Sequence, residues 1–245
     1  MSFITSPGNR SDSVLLRSDS LTVAETEFIA TAVAELEAAF KSLSGVRVGV
    51  AVLGSARCTE EHPLYQETML VTRKIADAFT ARGVTDFAFI TGGGPCVMRA
   101  GLEAVRDAAT TVGLNIRLPH EEKPNEFQEI SLSFSRFMGL RKYAFARYAR
   151  AFVFMSGGIG TLDEFYEILC LMQVGLIPVM PIYAVGEMYG WLDAVHEKLC
   201  ATGMISAADR QLYRIVQATD ADFADELVTR VLMLPEANTE AKSSN

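Results

Sequence analysis

Three apolar runs in this chain each end in a glycine turn and then pass into a helical pattern. That repeated transition restricts the possible folds more than any other feature. Residues 46–52 lead into Leu53-Gly54-Ser55-Ala56-Arg57. Asp86-Phe87-Ala88-Phe89-Ile90 leads into Thr91-Gly92-Gly93-Gly94-Pro95. Ala151-Phe152-Val153-Phe154 leads into Met155-Ser156-Gly157-Gly158-Ile159-Gly160-Thr161. Strands separated by helical patterns imply crossover connections and a parallel sheet covered on both faces. The expected fold is α/β, a doubly wound, Rossmann-like parallel sheet with helices on both faces. Parallel strands would bring the three turns to one edge, where open sheets of this kind bind ligands.

The rest of the chain fits one domain of that kind. Residues 1–20 are polar and serine-rich and read as a mobile tail. Residues 21–44 read as an N-terminal helix, opened by a Thr22-x-x-Glu25 capping box, with Phe28, Ile29, Val33, Leu36 and Phe40 on one face. Residues 45–234 are expected to form a single Rossmann-like domain, and 235–245 a polar C-terminal tail. Within it, strands are expected at 46–53, 86–91, 112–117, 151–155, 177–184 and 214–218, with 129–134 extended. Helices are expected at 64–82, 96–109, 139–150, 161–174, 187–202 and 220–234. Pro178 and Pro181 mark the 177–184 strand as an edge or irregular one.

The third turn carries the clearest chemistry. A strand, a glycine turn and a helix together aim unpaired backbone N–H groups and a positive helix end at one point, which suits a phosphate. Gly157, Gly158, Ile159, Gly160 and Thr161 are the phosphate-binding candidates, and Glu164 follows in the first helical turn. One glycine turn alone is as easily a plain connection. Three converging turns favour a site, adding Gly54, Ser55, Gly92, Gly93 and Gly94 to the substrate-binding set.

Upstream, Arg141 shares a helical face with Phe145 and Tyr148, so its charge needs an anionic partner. One reading is a structural salt bridge to Glu164, Glu167 or another carboxylate. The other is a ligand-binding or catalytic role beside the phosphate. Helical spacing sends Lys142, Arg147 and Arg150 elsewhere, and Glu167 reads as a support for Arg141.

Composition excludes several classes. The formal net charge of −8 speaks against a general nucleic-acid surface. No apolar run approaches the ~20 residues of a membrane span, and residues 1–20 lack a secretory pattern. The expected location is the cytoplasm. Cys58, Cys96, Cys170 and Cys200 have no paired spacing and read as thiols, mostly core fillers. His62, His120 and His196 lack metal-ligand spacing, so no metal is expected. No lysine sits in a recognisable Schiff-base context.

Gly157-Gly158-Ile159-Gly160-Thr161-Leu162-Asp163-Glu164 resembles the P-G-G-x-G-T-x-x-E signature of the Lonely Guy family. These are the cytokinin riboside 5′-monophosphate phosphoribohydrolases, long labelled lysine decarboxylases. Arg141-Lys142 is similar to the family's Arg-Lys pair, Gly92-Gly93-Gly94 with Met98 to its first glycine motif, and Gly54-Ser55 to its G-S-S turn. The stretch from Leu114 to Asn125 is similar to the longer, bacterial-type branch. Ser156 replaces the family's proline, and Cys170 stands where it often has threonine. The resemblance implies N-glycosidic cleavage of a nucleoside 5′-monophosphate, with Arg141 and Glu164 as catalytic residues and Lys142 among those that bind substrate. It implies no cofactor, no membrane and no nucleic-acid partner, and a homodimer or higher homo-oligomer. The alternative is a nucleotide- or cofactor-binding carrier or sensor of the same fold, which would keep the glycine turns without needing the Arg141–Glu164 pair.

Overall fold

The structure is a computed structural model that describes residues 21–117, 123–135 and 137–235. The expected N-terminal tail, nearly all of the C-terminal tail, and His120 lie outside them. In chain order the elements are α1 (Val23–Ser42), β1 (Gly49–Leu53), α2 (Pro63–Ala81), β2 (Ala88–Thr91), α3 (Val97–Glu103), β3 (Thr110–Ile116) and β4 (Ile130–Phe134). They continue with α4 (Met138–Tyr148), β5 (Ala149–Phe154), α5 (Ile159–Gln173), β6 (Ile182–Val185), α6 (Gly190–Ala201), β7 (Arg214–Val216) and α7 (Phe223–Met233).

The strands form one seven-stranded sheet in the order β4-β3-β2-β1-β5-β6-β7, and every pairing is parallel. The fold is therefore the doubly wound α/β sheet. From β1 the chain builds outward through β2, β3 and β4 on one side, then returns to add β5, β6 and β7 on the other. The direction reverses between β1 and β5, which opens a crevice at their C-terminal ends.

Both faces are packed because β1, β2 and β6 are buried along their whole length. Val50 and Val52 enter a core with Phe79, Phe89 and Leu227 under α2, α3 and α7. Ala51 and Leu53 enter the opposite core with Phe145, Phe165 and Leu192 under α4, α5 and α6. In α2, eight side chains are buried. In α1 only Ala39 is buried, although its Thr22–Glu25 capping box is complete. Phe28, Ile29, Val33 and Phe40 stay exposed. No described helix is long and apolar enough to cross a membrane.

Several boundaries differ from expectation. The strand expected at 177–184 begins only at Ile182, because proline cannot donate to a ladder and Pro178 and Pro181 both precede it. It is not an edge strand but lies between β5 and β7. Helix α4 stops at Tyr148 and passes directly into β5, so Arg150 sits on a strand and donates to the carbonyls of Leu234 and Pro235. Helix α3 ends at Glu103, and β3 takes in the β-branched Thr110 and Thr111.

Candidate functional site

The C-terminal ends of β5, β1, β2, β3 and β4 surround a cavity of about 750 Å³. All three glycine turns reach it. From the β5 turn come Gly158, Ile159, Gly160 and Thr161; from the β1 turn, Gly54 and Ser55; from the β2 turn, Gly92 and Gly94, with Met98 just beyond. Arg141 from α4 and Glu164 from α5 complete this part of the wall. A hydrogen bond from the Ser55 N–H to the Ser156 carbonyl (3.1 Å) ties the first turn to the third. Another, from the Val97 N–H to the Ser55 carbonyl (3.1 Å), ties α3 to the first.

Helix α5 begins at Ile159 with Gly158 as its N-cap and no side-chain cap. Its first backbone bond runs from the Leu162 N–H to the Gly158 carbonyl. The N–H groups ahead of Leu162 have no intrahelical acceptor and open the helix towards the cavity. A Cβ at Gly158 or Gly160 would meet nothing within 4 Å, whereas one at Gly157 would fall 2.1 Å from the Thr161 hydroxyl. Gly157 thus makes room for Thr161 and does not itself line the cavity.

Arg141 and Glu164 are both buried and joined by a 2.8 Å bond from Nη2 to Oε1. Arg141 also has a buried Nε with no acceptor among the described residues. Burial raises the Glu164 carboxyl above its ordinary value, against the opposing charge of Arg141. The sequence placed Glu164 in the first helical turn, where the helix end would keep it ionised. It is in fact the sixth helical residue, beyond the turn over which a helix dipole acts, and burial sets its proton affinity.

Lys142 leaves α4 about 100° round from Arg141 and faces away from the cavity. Its Nζ pairs with Asp163 at 3.2 Å and with Glu167. This corrects two expectations: Lys142 does not line the cavity, and Glu167 supports Lys142 rather than Arg141. Cys170 is exposed on the outer face of α5 beside Tyr166 and Leu171, away from the cavity. Arg147 lies over the Phe40 ring, with 5.0 Å to its centroid.

The β2 turn is built differently. Gly93, at φ +75°, would put a Cβ 2.1 Å from the Asn115 Oδ1, and it does not line the cavity. Its carbonyl accepts from the Gln128 Nε2 at 2.7 Å and the Asn125 Nδ2 at 2.9 Å. A Cβ at Gly92 would fall 2.6 Å from the Met98 sulfur. Next to this turn, Cys96 is disulfide-bonded to Cys58, which corrects the reading of both as thiols. Cys96 is also the one described non-glycine residue with positive φ, at 55°. The cavity further includes Arg57, Asn115, Arg117, Lys123, Ser133 and Met138, none of which had been given a role. Asn115, Arg117 and Lys123 lay within the family-like stretch, which was the only signal for them.

A family model described as "Possible lysine decarboxylase" matches residues 96–227, more than half of the chain. The probable cytokinin riboside 5′-monophosphate phosphoribohydrolase LOG4 of Oryza sativa subsp. japonica is 35% identical over 98 residues. That match spans 39% of this chain and only 40% of the rice protein. Among solved structures, the structural-genomics target TM1055 is similar with a TM-score of 0.51 and 21% identity, over 74% of this chain and 98% of that one. The molybdenum cofactor binding protein of Rippkaea orientalis is similar with a TM-score of 0.50 and 14% identity, over 76% and 98% respectively. At such identities these two structures speak for the fold.

Proposed function

The chain belongs to the possible lysine decarboxylase family, that of the Lonely Guy proteins, and we propose that it hydrolyses the N-glycosidic bond of a nucleoside 5′-monophosphate. The substrate is adenosine 5′-monophosphate or an N6-modified form of it, and the products are the free base and ribose 5-phosphate. The observation that carries this reading is the buried Arg141–Glu164 pair, which borders the same cavity as the uncapped start of α5.

In this mechanism the N–H groups at the start of α5 and the Thr161 hydroxyl take the 5′-phosphate. That contact fixes the ribose, and its binding energy orients C1′ beside Glu164. As the bond to the base lengthens, positive charge develops on the ribose ring. The Glu164 carboxylate faces that charge, orients a water and takes its proton. The hydroxyl joins C1′, and the bonding electron pair leaves with the base, which acquires a proton. Arg141 holds Glu164 in its ionised form against the cost of burial. The proton that the base acquires comes from solvent.

The test is incubation of the purified protein with AMP and N6-substituted AMP, followed by separation of free base and ribose 5-phosphate. Nucleotide that binds and remains intact would favour the carrier reading.

The proposal extends to assembly and place. Phe28, Ile29, Val33 and Phe40 on α1, with Phe137 and Tyr143 at α4, leave an exposed apolar surface that supports a homodimer or larger homo-oligomer. Light scattering on the purified protein tests it. With the charge of −8, we take the protein to act in the cytoplasm without a nucleic-acid partner. The Cys58–Cys96 disulfide speaks against that location, because such bonds are uncommon in reducing compartments. Thiol labelling of protein taken directly from cells decides it.

A further inference from the structure

The described lining of the cavity carries more cationic side chains than one 5′-phosphate requires. Its described charged side chains are Arg57, Arg117, Lys123, Arg141 and Glu164. Arg141 and Glu164 neutralise each other. Arg57, Arg117 and Lys123 are left, all exposed, with no ion pair to any described carboxylate. Among the described lining residues this leaves an excess of positive charge, in a chain of net charge −8.

Arg117 and Lys123 are not where the first phosphate would go. That end of the cavity is the start of α5, after β5. Arg117 directly follows β3, and Lys123 lies on the segment between β3 and β4. Three strand intervals separate β5 from β3, roughly 14 Å at ordinary spacing. Between these ends lie the Arg141–Glu164 pair and the β1 and β2 turns. A nucleotide with its phosphate at α5 and its C1′ at Glu164 would direct its base towards Asn115, Arg117 and Lys123.

We propose that Arg117 and Lys123 form a second anion subsite, and that the preferred substrate carries an acidic substituent on its base. The chemical class is an N6-carboxyalkyl adenosine 5′-monophosphate. This rests on the preceding reading for where the 5′-phosphate sits. Arginine and lysine recognise the distal carboxylate through charge-assisted hydrogen bonds. General electrostatic steering by a basic cleft would instead favour all anions alike, and that difference makes the idea testable.

The experiment measures equilibrium binding at low temperature of AMP, N6-(1,2-dicarboxyethyl)-AMP and the uncharged N6-benzyl-AMP. Wild type and the Arg117→Ala/Lys123→Ala double variant are compared, and free base is monitored in the same samples. The wild type should bind the dicarboxylate about tenfold more tightly than either other ligand, as expected for one good charge-assisted contact. The double variant should reduce that ratio to about two or less, and Arg117→Lys should keep most of it. Equal wild-type affinities would overturn the subsite, as would a preference that survives the double variant. Equal losses for AMP and the dicarboxylate would mean steering alone, and a benzyl ligand that binds as well as the dicarboxylate would mean apolar bulk. Selective binding with no base released would break the hydrolase reading and leave the subsite standing. Base release without selectivity would do the reverse.

Discussion

The turns after β5 and β2 look alike in sequence and do opposite things in the fold. Gly158 and Gly160 border open space, so no neighbour in this chain demands a glycine there. Gly93 is enclosed by Asn115, Asn125 and Gln128 and holds a backbone angle that favours glycine. At Gly158 and Gly160 the first turn is open to something that approaches from outside, while at Gly93 the second is closed around the chain's own side chains. A glycine-rich motif can therefore mark either a ligand or a packing constraint, and what stands beside each Cα decides which.

The comparison is open to attack from both sides. On the β5 side, Glu164→Gln should lower the rate of base release by about 10²–10³-fold while nucleotide binding persists, the usual cost of removing one electrostatic contact to the transition state. Turnover within a few-fold of wild type would remove Glu164 from the mechanism. On the β2 side, Gly93→Ala should destabilise the fold by roughly 2–4 kcal/mol, through strain at positive φ and overpacking against Asn115. Urea unfolding measures this, and an unchanged midpoint would show that the enclosure yields.

Gly158→Ala sharpens the contrast. Its φ of −99° suits alanine, so stability should change by less than about 0.5 kcal/mol. Nucleotide affinity should fall by about tenfold as the methyl crowds the phosphate, at about 1.4 kcal/mol per tenfold. Titration calorimetry beside thermal unfolding separates the two effects; unchanged affinity would make both turns structural.

The smallest expected effect is on the pH profile. Glu164 acts as a carboxylate, and burial raises its pKa above 4.5. Activity should be lost as pH falls through that raised value, so the acid limb of kcat/KM should lie above the ordinary carboxylate range. The folded state binds this proton more readily than the unfolded chain does. Ionising Glu164 therefore lowers stability, and the loss is complete only above the raised pKa. An acid limb at or below 4.5 would assign the titration to another group.

The parallel sheet and the shared edge of the three turns were legible because strand runs and glycine turns are local patterns. The Arg141–Glu164 pair was legible as one of several options, since helical spacing turns both residues inward but does not choose among carboxylates. The clamp on Gly93 was hidden because its partner Gln128 lies 35 residues away on a stretch without regular pattern. Helical spacing sent Lys142 away from Arg141, and only the family-like Arg-Lys pair, which says nothing of which neighbour faces the cavity, put it at the substrate. The true start of β6 needed the ladder itself to show where the prolines stop interfering.

The Cys58–Cys96 bond makes a covalent ring of the chain between these residues, a separation of 38 that encloses the whole of α2 and β2. A protease that cuts the exposed turn near Gly83 would break the backbone without releasing either piece. The nicked protein would migrate as one band on a denaturing gel without reductant and as two with it. Ring closure of this size also removes freedom from the unfolded chain, worth about 4 kcal/mol in the chain-entropy account. The helix and strand that carry the β2 turn are thus tethered to the loop that carries Arg57, even in a molecule that has lost its fold.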